Sequence, residues 1–252
     1  MRIDLNADLA EGFGHYDMGE DESLMTVISS ANVACGFHAG DYRTIPKAIK
    51  QAKRAKVAIG AHPGYFDLFG FGRREMNLAP EEIYDLLIYQ LGAIKAFCDV
   101  EDVPLSHVKP HGALYNQAAK EEQVAKAIVQ AVKDVDHNLV LFGLANSLLV
   151  EVGHQLDLNV ASEVFADRTY TKEGFLTPRK DAKAVITDYE EIERQVFNFV
   201  FHGYVETITG ERVFIEADTL CFHGDGKSVF RHANRIRTKL EQEGVQVKAI
   251  TS

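Results

Sequence analysis

The chain has few cysteines, no excess of positive charge and no long apolar run, and each shortage disfavours a class of protein. Its three cysteines, Cys35, Cys98 and Cys221, include no CxxC pair. That argues against a disulfide framework and against a cysteine zinc site. The formal net charge is -10, so a general nucleic-acid binder is disfavoured, because a phosphate backbone needs a basic face. A local basic pocket for a small anion stays open. No stretch reaches the roughly 18 consecutive apolar residues of a membrane span. The start, Met1-Arg2-Ile3-Asp4-Leu5-Asn6, lacks the apolar core of a secretion signal. The expectation is a soluble, cytoplasmic protein that touches neither membrane nor nucleic acid. No GxxxxGKS/T loop, no GxGxxG after a strand and no GxSxG elbow occurs, so the usual phosphate-loop, dinucleotide and serine-hydrolase signals are missing.

What is present is a periodic α/β pattern. Apolar residues make up 46% and charged residues 25%, enough to bury a sizeable core. Short apolar runs fall at 3–5, 32–35, 57–59, 107–108, 139–142, 159–161 and 219–222. Each is short enough to be a strand buried on both faces. Between them lie segments of helical period. One runs over 81–98, with Ile83, Leu87, Leu91, Ile94 and Phe97 on one stripe. Others cover 121–132 and 227–240. Pro80 with Glu81 and Glu82 suits a first helical turn, where a missing N–H matters little and the helix dipole favours acids. Asn146 could cap the helix after the fifth run, and Gly244 suits a helix end.

Repeated strand–helix units imply parallel strands joined by right-handed crossovers. Seven of them predict a seven-stranded (β/α) barrel, TIM-barrel-like, as one domain over 1–252. Residues 204–216, with Thr209-Gly210 at the turn, predict a β-hairpin inserted before the last strand.

The chemistry lies in the residues just beyond each run. Asn6-Ala7-Asp8 and then Glu11 come after the first, and His38 and Asp41 after the second. His62 comes after the third, Lys109 and His111 after the fourth, Glu163 and then Asp167-Arg168 after the sixth, and His223 and Asp225 after the seventh. The fifth alone lacks an ionisable group. In a parallel barrel these ends converge on one face. Four of the ten histidines stand there (His38, His62, His111 and His223), which suggests proton transfer or metal binding. A lone strand-end histidine is commonly a hydrogen-bonded core residue; it is the set that points to a pocket. Asp167-Arg168 reads either as a structural ion pair or as a ligand clamp. Cys35 and Cys221 read as buried small apolar residues. Arg73 and Arg74 read either as a solvated face or as a lid that meets phosphate or carboxylate.

The strings Ile3-Asp4-Leu5-Asn6-Ala7-Asp8-Leu9, Ser30-Ala31-Asn32-Val33-Ala34-Cys35-Gly36-Phe37-His38-Ala39-Gly40-Asp41 and Ala58-Ile59-Gly60-Ala61-His62-Pro63 resemble the LamB/YcsF family. So do His107-Val108-Lys109-Pro110-His111-Gly112-Ala113-Leu114-Tyr115-Asn116, Glu163-Val164-Phe165-Ala166-Asp167-Arg168 and Cys221-Phe222-His223-Gly224-Asp225-Gly226. They run in order along nearly the whole chain. The resemblance implies a barrel similar to the glycoside hydrolase/deacetylase superfamily. It also implies the activity of an A subunit of 5-oxoprolinase: ATP-driven opening of 5-oxo-L-proline to L-glutamate, with Mg²⁺ accompanying ATP, alongside subunits B and C.

On that expectation, Asp8, Lys109, His111 and Glu163 are the candidate catalytic residues. Asp8 or His111 would activate water, Lys109 would balance charge on the lactam oxygen or a phosphate, and Glu163 with Asp167 would handle protons at the ring nitrogen. Asn6, His38, His62, Asp167, Arg168, His223 and Asp225 are the candidate substrate-binding residues, with Arg168 on the substrate carboxylate. Related deacetylase-like barrels hold a metal with one Asp and two His, so Asp8, His62 and His111 are the candidate divalent-metal ligands. Two rival readings stay open. One is a stand-alone metal-dependent hydrolase acting on an amide or acetylated sugar; the other is a noncatalytic binding subunit.

Overall fold

The computed structural model describes residues 1–16, 18–222 and 229–250. Seven parallel strands form a closed barrel: β1 (Arg2–Leu9), β2 (Ser30–Ala34), β3 (Ala58–His62), β4 (Leu105–Val108), β5 (Val140–Leu144), β6 (Val160–Phe165) and, late in the chain, β9 (Thr219–Phe222). Each pairs with the next in that order, and β9 pairs back onto β1 to close the ring. Before β9, β7 (Tyr204–Glu206) and β8 (Arg212–Phe214) form a separate antiparallel ribbon. A two-residue strand, β10 (Gln246–Val247), lies beside Arg2 and Ile3.

The helices are α1 (Asp21–Leu24), α2 (Thr44–Ala55), α3 (Pro80–Val100), α4 (Gly112–Ala118), α5 (Glu122–Val135), α6 (Leu148–Gln155), α7 (Tyr189–Phe197) and α8 (Val229–Gln242). On α5, Val124, Ile128 and Val132 repeat every fourth residue and are buried. On α3 the same logic buries Ile83, Leu87, Leu91 and Ile94. Each such side chain contributes about 1.5–3 kcal/mol, and these stripes seat the helices on the barrel's outer face. Pro80 opens α3, and a Glu82 carboxylate oxygen accepts from the Ala79 amide at 2.8 Å. Gly244 turns the chain after α8 at φ 80°.

Two local expectations need correction. Asn146 is not a helix cap; Ser147 holds that place before α6. Asn146 is left-handed at φ 62°, and its amide donates to the Phe214 carbonyl at 2.8 Å, tying the ribbon to the barrel. The strands also run further than their apolar runs. Asn6 and Asp8 lie inside β1, His62 ends β3, and Glu163 lies inside β6. The reason is the two-residue period of a strand. Ile3, Leu5, Ala7 and Leu9 face the helices, while Asp4, Asn6 and Asp8 alternate with them into the barrel; all seven are buried.

The barrel interior is therefore polar. The Asp4 carboxylate accepts from the hydroxyls of Ser29 (2.6 Å), Ser30 (2.7 Å) and Thr219 (2.5 Å). Burial pushes its pKa up, against the pull of those donors. The Asn6 amide donates to Thr219 (2.7 Å) and Glu163 (3.0 Å), and the Asn32 amide donates to Asn6 and Asp8, both at 2.8 Å. His107 Nε2 meets Asn32 Oδ1 at 2.8 Å, and its ring stacks on Phe142. Gly60 makes room for that ring: a Cβ there would stand 2.1 Å from His107 Nε2.

Candidate active site

At the C-terminal ends of the strands the polar interior opens into a cavity of about 270 Å³. Asp8, His62, Lys109, His111 and Arg168 line it, as do Glu11 and Tyr115. Glu163 sits behind Lys109. Asn6, His38 and Asp167 do not line the cavity: Asn6 is spent in the interior network, and His38 lies fully buried beside His111. His223 and Asp225 fall outside the described residues.

Lys109 is the pivot of the floor. Only 2% exposed, its ammonium lies 2.8 Å from Glu163 Oε1, 3.0 Å from Asp8 Oδ1, 3.2 Å from Asn6 Oδ1 and 3.0 Å from Cys221 Sγ. Burial opposes its charge, yet the neighbouring Asp8 and Glu163 carboxylates hold its pKa well above the ordinary lysine value. Four acceptors already surround its three N–H bonds. Cys221 is buried and its thiol pKa is pushed up by burial, in keeping with a packed residue and not a nucleophile.

Beside this group stand three histidines and a glutamate. Ligand atoms of Glu11, His38, His62 and His111 all lie within 4.8 Å of one another. His62 Nδ1 meets the Lys109 carbonyl at 2.7 Å and His111 Nε2 meets the Phe71 carbonyl at 2.8 Å. A carbonyl only accepts, so both of those nitrogens carry the proton. The opposite nitrogens, His62 Nε2 and His111 Nδ1, face each other 2.9 Å apart. Glu11 Oε1 is 3.5 Å from His111 and 3.4 Å from His38, and Asp8 Oδ2 is 3.3 Å from His62. Burial and the neighbouring rings hold His38 and His111 well below the ordinary histidine pKa, hence neutral. Glu11 is the carboxylate within that 4.8 Å group, and Asp8 stands at its edge, its Oδ1 engaged by Lys109 and Asn32 and its Oδ2 turned to His62.

The segment over 65–74 frames the histidines. The Asp67 carboxylate accepts from the Gly70 amide and from Arg74 Nε, both at 2.9 Å. This places the Phe71 carbonyl on His111 and packs Gly72, at φ 63°, so tightly that a Cβ would lie 2.7 Å from both the His111 ring and His38 Cβ. Tyr115, 4% exposed on α4, stands beside Glu163; burial, then that carboxylate, raises its pKa well above the usual value. Glu11 and Tyr115 are not singled out by the sequence. Glu11 is visible there as a strand-end acid, and Tyr115 carries no signal beyond its place in the His107–Asn116 motif.

A parallel β/α barrel with a buried Asp–Lys–Glu group and a histidine cluster at its C-terminal mouth defines a class of catalytic barrels. The chain belongs to the LamB/YcsF family, whose model matches residues 3–252. It is 50% identical over 250 residues to a protein of Staphylococcus haemolyticus named as the A subunit of 5-oxoprolinase, covering 99% of this chain and all of that one. Among solved structures, it matches a lactam utilization protein from Thermus thermophilus at TM-score 0.93 and 45% identity, over 99% of this chain and 100% of that one. A family 4 carbohydrate esterase from Streptomyces lividans shares the fold at TM-score 0.50 and 10% identity, over 99% of this chain and 93% of that one. Among the described residues, no helix is long and apolar enough to cross a membrane.

Proposed function

We propose that this chain is the A component of a cytoplasmic, ATP-dependent 5-oxoprolinase working with subunits B and C, and that its cavity is where the lactam ring opens. The observation that carries the reading is the Asp8–Lys109–Glu163 group at the floor of a cavity sized for a small metabolite, in a chain half identical to named A subunits.

Amide resonance protects a lactam carbonyl, so opening it at neutral pH needs activation. Transfer of the terminal phosphoryl of ATP, with its Mg²⁺, to the lactam oxygen releases ADP and leaves a C=N bond with phosphate on carbon. Water adds to that carbon, the ring nitrogen gains a proton, and the C–N bond breaks. The product is an acyl phosphate with a free amine. A second water releases phosphate and glutamate. In this reading Lys109 pairs with Asp8 and Glu163 and fixes them in place, and does not itself meet the lactam oxygen. Asp8 takes a proton from the attacking water. Tyr115, backed by Glu163, delivers a proton to the departing nitrogen. Arg168, lining the wall, holds an anionic group of the substrate.

The histidine cluster fits a divalent metal of the zinc or manganese kind: three imidazoles, two of them (His62 and His111) with the far nitrogen fixed by a backbone carbonyl, the third (His38) with both ring nitrogens buried and without a hydrogen bond, and one carboxylate. Glu11, His38, His62 and His111 would hold it. Such an ion would supply Lewis acidity beside the floor carboxylates. Elemental analysis of the purified chain and of a His62→Ala variant checks this reading, with metal content lost in the variant.

The test of the whole is reconstitution with subunits B and C. Asp8→Asn and Glu163→Gln should each lower ATP-dependent glutamate formation by about a hundredfold or more. Undiminished turnover in both variants would sink the assignment. Deacetylation by the isolated chain without ATP would favour the stand-alone hydrolase instead.

A further inference from the structure

Asn32 and His107 lie in two of the strings that resemble the LamB/YcsF family, yet neither lines the cavity and the ring-opening chemistry uses neither. Both are fully buried. The strand register explains how they meet. Asp8 of β1 pairs with Asn32 of β2, Asn32 with Gly60 of β3, and Gly60 with His107 of β4, so the four stand in one row around the barrel. Gly60 puts no side chain into that row. The His107 ring therefore reaches across β3, and its Nε2 lies 2.8 Å from Asn32 Oδ1. Phe142 seats the ring, with 4.3 Å between centroids and planes 11° from parallel.

Each bond in the row has a fixed direction. The Asn32 amide nitrogen donates to Asp8 Oδ1 and to Asn6 Oδ1, both at 2.8 Å. The Asn6 oxygen is an acceptor there because its own amide nitrogen is committed to Glu163 and Thr219. Turned over, Asn32 would set its oxygen against two acceptors. Its oxygen therefore faces His107, and the proton of that ring is on Nε2. Burial, then Lys109 and His62, lowers the His107 pKa to about 3, so the ring is neutral and carries that one proton. Its Nδ1 is buried without a hydrogen bond among the described residues, which leaves the ring one polar contact, the bond to Asn32. We propose that Asn32 is the positioning residue of Asp8, and that His107, reaching through the gap at Gly60, locks the orientation of Asn32. Asn32 and Lys109 both donate to Asp8 Oδ1, at 2.8 and 3.0 Å, with Oδ2 turned to His62 at 3.3 Å. Two donors on one oxygen set the plane of a carboxylate, because each follows an in-plane lone pair; one donor leaves it free to turn. This rests on the reading of Asp8 as the base in ring opening, and it names what holds that base in line.

The test is steady-state kinetics of the enzyme reconstituted with subunits B and C. Asn32→Ala should lower kcat about tenfold or more, as a misplaced reacting group does, with KM changed by less than about twofold. In the Asp8→Asn background, adding Asn32→Ala should lower kcat by less than about threefold, because the group it positions is already gone. A loss there as large as in the parent makes Asn32 a structural residue only and overturns the assignment. So does an unchanged kcat in Asn32→Ala, or a loss confined to KM. The lock is read separately. His107→Leu removes the donor and should lower kcat about two- to tenfold. His107→Gln is of similar size, offers an amide N–H and should recover most of that loss. Equal losses in these two variants overturn the role of His107. Both leave Asn32 in place, so the pair decides even where Asn32→Ala does not fold. Asp8→Asn alone separates the positioning from the reading beneath it. Full turnover in that variant refutes Asp8 as the base, whereas impaired turnover with additive losses refutes only the positioning.

Discussion

Removing the Lys109 ammonium should unbalance the barrel interior before it affects anything else. In Lys109→Met the side chain keeps its approximate volume but leaves Asp8 and Glu163, both under 10% exposed, without their shared cation. Breaking a buried pair by deleting one partner typically costs about 3–5 kcal/mol, because the remaining charge is stranded. Here two carboxylates are stranded, so the upper part of that range applies. For a chain of this size about 4–5 kcal/mol corresponds to a fall in Tm of about 8–20 °C. Urea unfolding of four proteins measures it: the parent, Lys109→Met, Glu163→Gln and the double variant. Removing the second charge relieves the first loss, so the double variant should be more stable than Lys109→Met alone, with a coupling of about 2 kcal/mol or more. The pH dependence has a definite sign. The folded pKa of Lys109 is raised, so its contribution is complete below the ordinary value of 10.5 and is lost only as pH rises through the folded value. A loss below about 1 kcal/mol, or strict additivity in the cycle, would refute the claim that Lys109 holds the two carboxylates.

Three further outcomes rest on the same geometry. Gly60→Ala drives a methyl to 2.1 Å from His107 Nε2 and should destabilise by about 1–3 kcal/mol, with part of the loss recovered when His107 is also shortened to Ser. Asp67→Ala should release the 65–74 segment, seen as faster amide hydrogen exchange at Gly70 and Gly72. Hydrogen bonding to Arg74 depresses the Asp67 pKa, so the intact segment should hold above the ordinary value of 3.8 and loosen only as pH falls below it. Tyr115→Phe removes the proposed proton donor but keeps the ring; in the reconstituted enzyme it should lower kcat about a hundredfold with little change in KM, and equal losses in kcat and 1/KM would count against the role.

The barrel was legible because apolar runs and helical stripes are periodic, and periodicity survives without knowledge of contacts. The strand limits were not. Asn6, Asp8 and Glu163 read as loop residues since a polar side chain ends an apolar run, yet a barrel has an inner face where alternate positions of a strand can stay polar. Lys109 and His111 were placed in the site by position, but their partners were not visible. Whether Lys109 meets a substrate or two carboxylates depends on residues 54 and 101 positions away. The place of Glu11 among the histidines, with Asp8 at their edge, has the same origin. Competition for one carboxylate among Lys109, Asn32 and His62 is a three-dimensional matter.

The hydrogen bonds from Thr219 to Asp4 and from Asn6 to Thr219 join residues more than 200 positions apart. They have a consequence for how the chain reaches its native state. Until β9 arrives between β6 and β1, Asp4 keeps Ser29 and Ser30 and Asn6 keeps Glu163 and Asn32, but each lacks the Thr219 hydroxyl that completes its set. A six-stranded precursor therefore carries unsatisfied polar groups where a fully apolar interior would carry none. Closure is rewarded at its final step, and partial barrels are penalised until then. The polar interior that serves the chemistry at one end of the strands thus acts at the other as a proofreading latch on the fold, admitting the seventh strand in a single register.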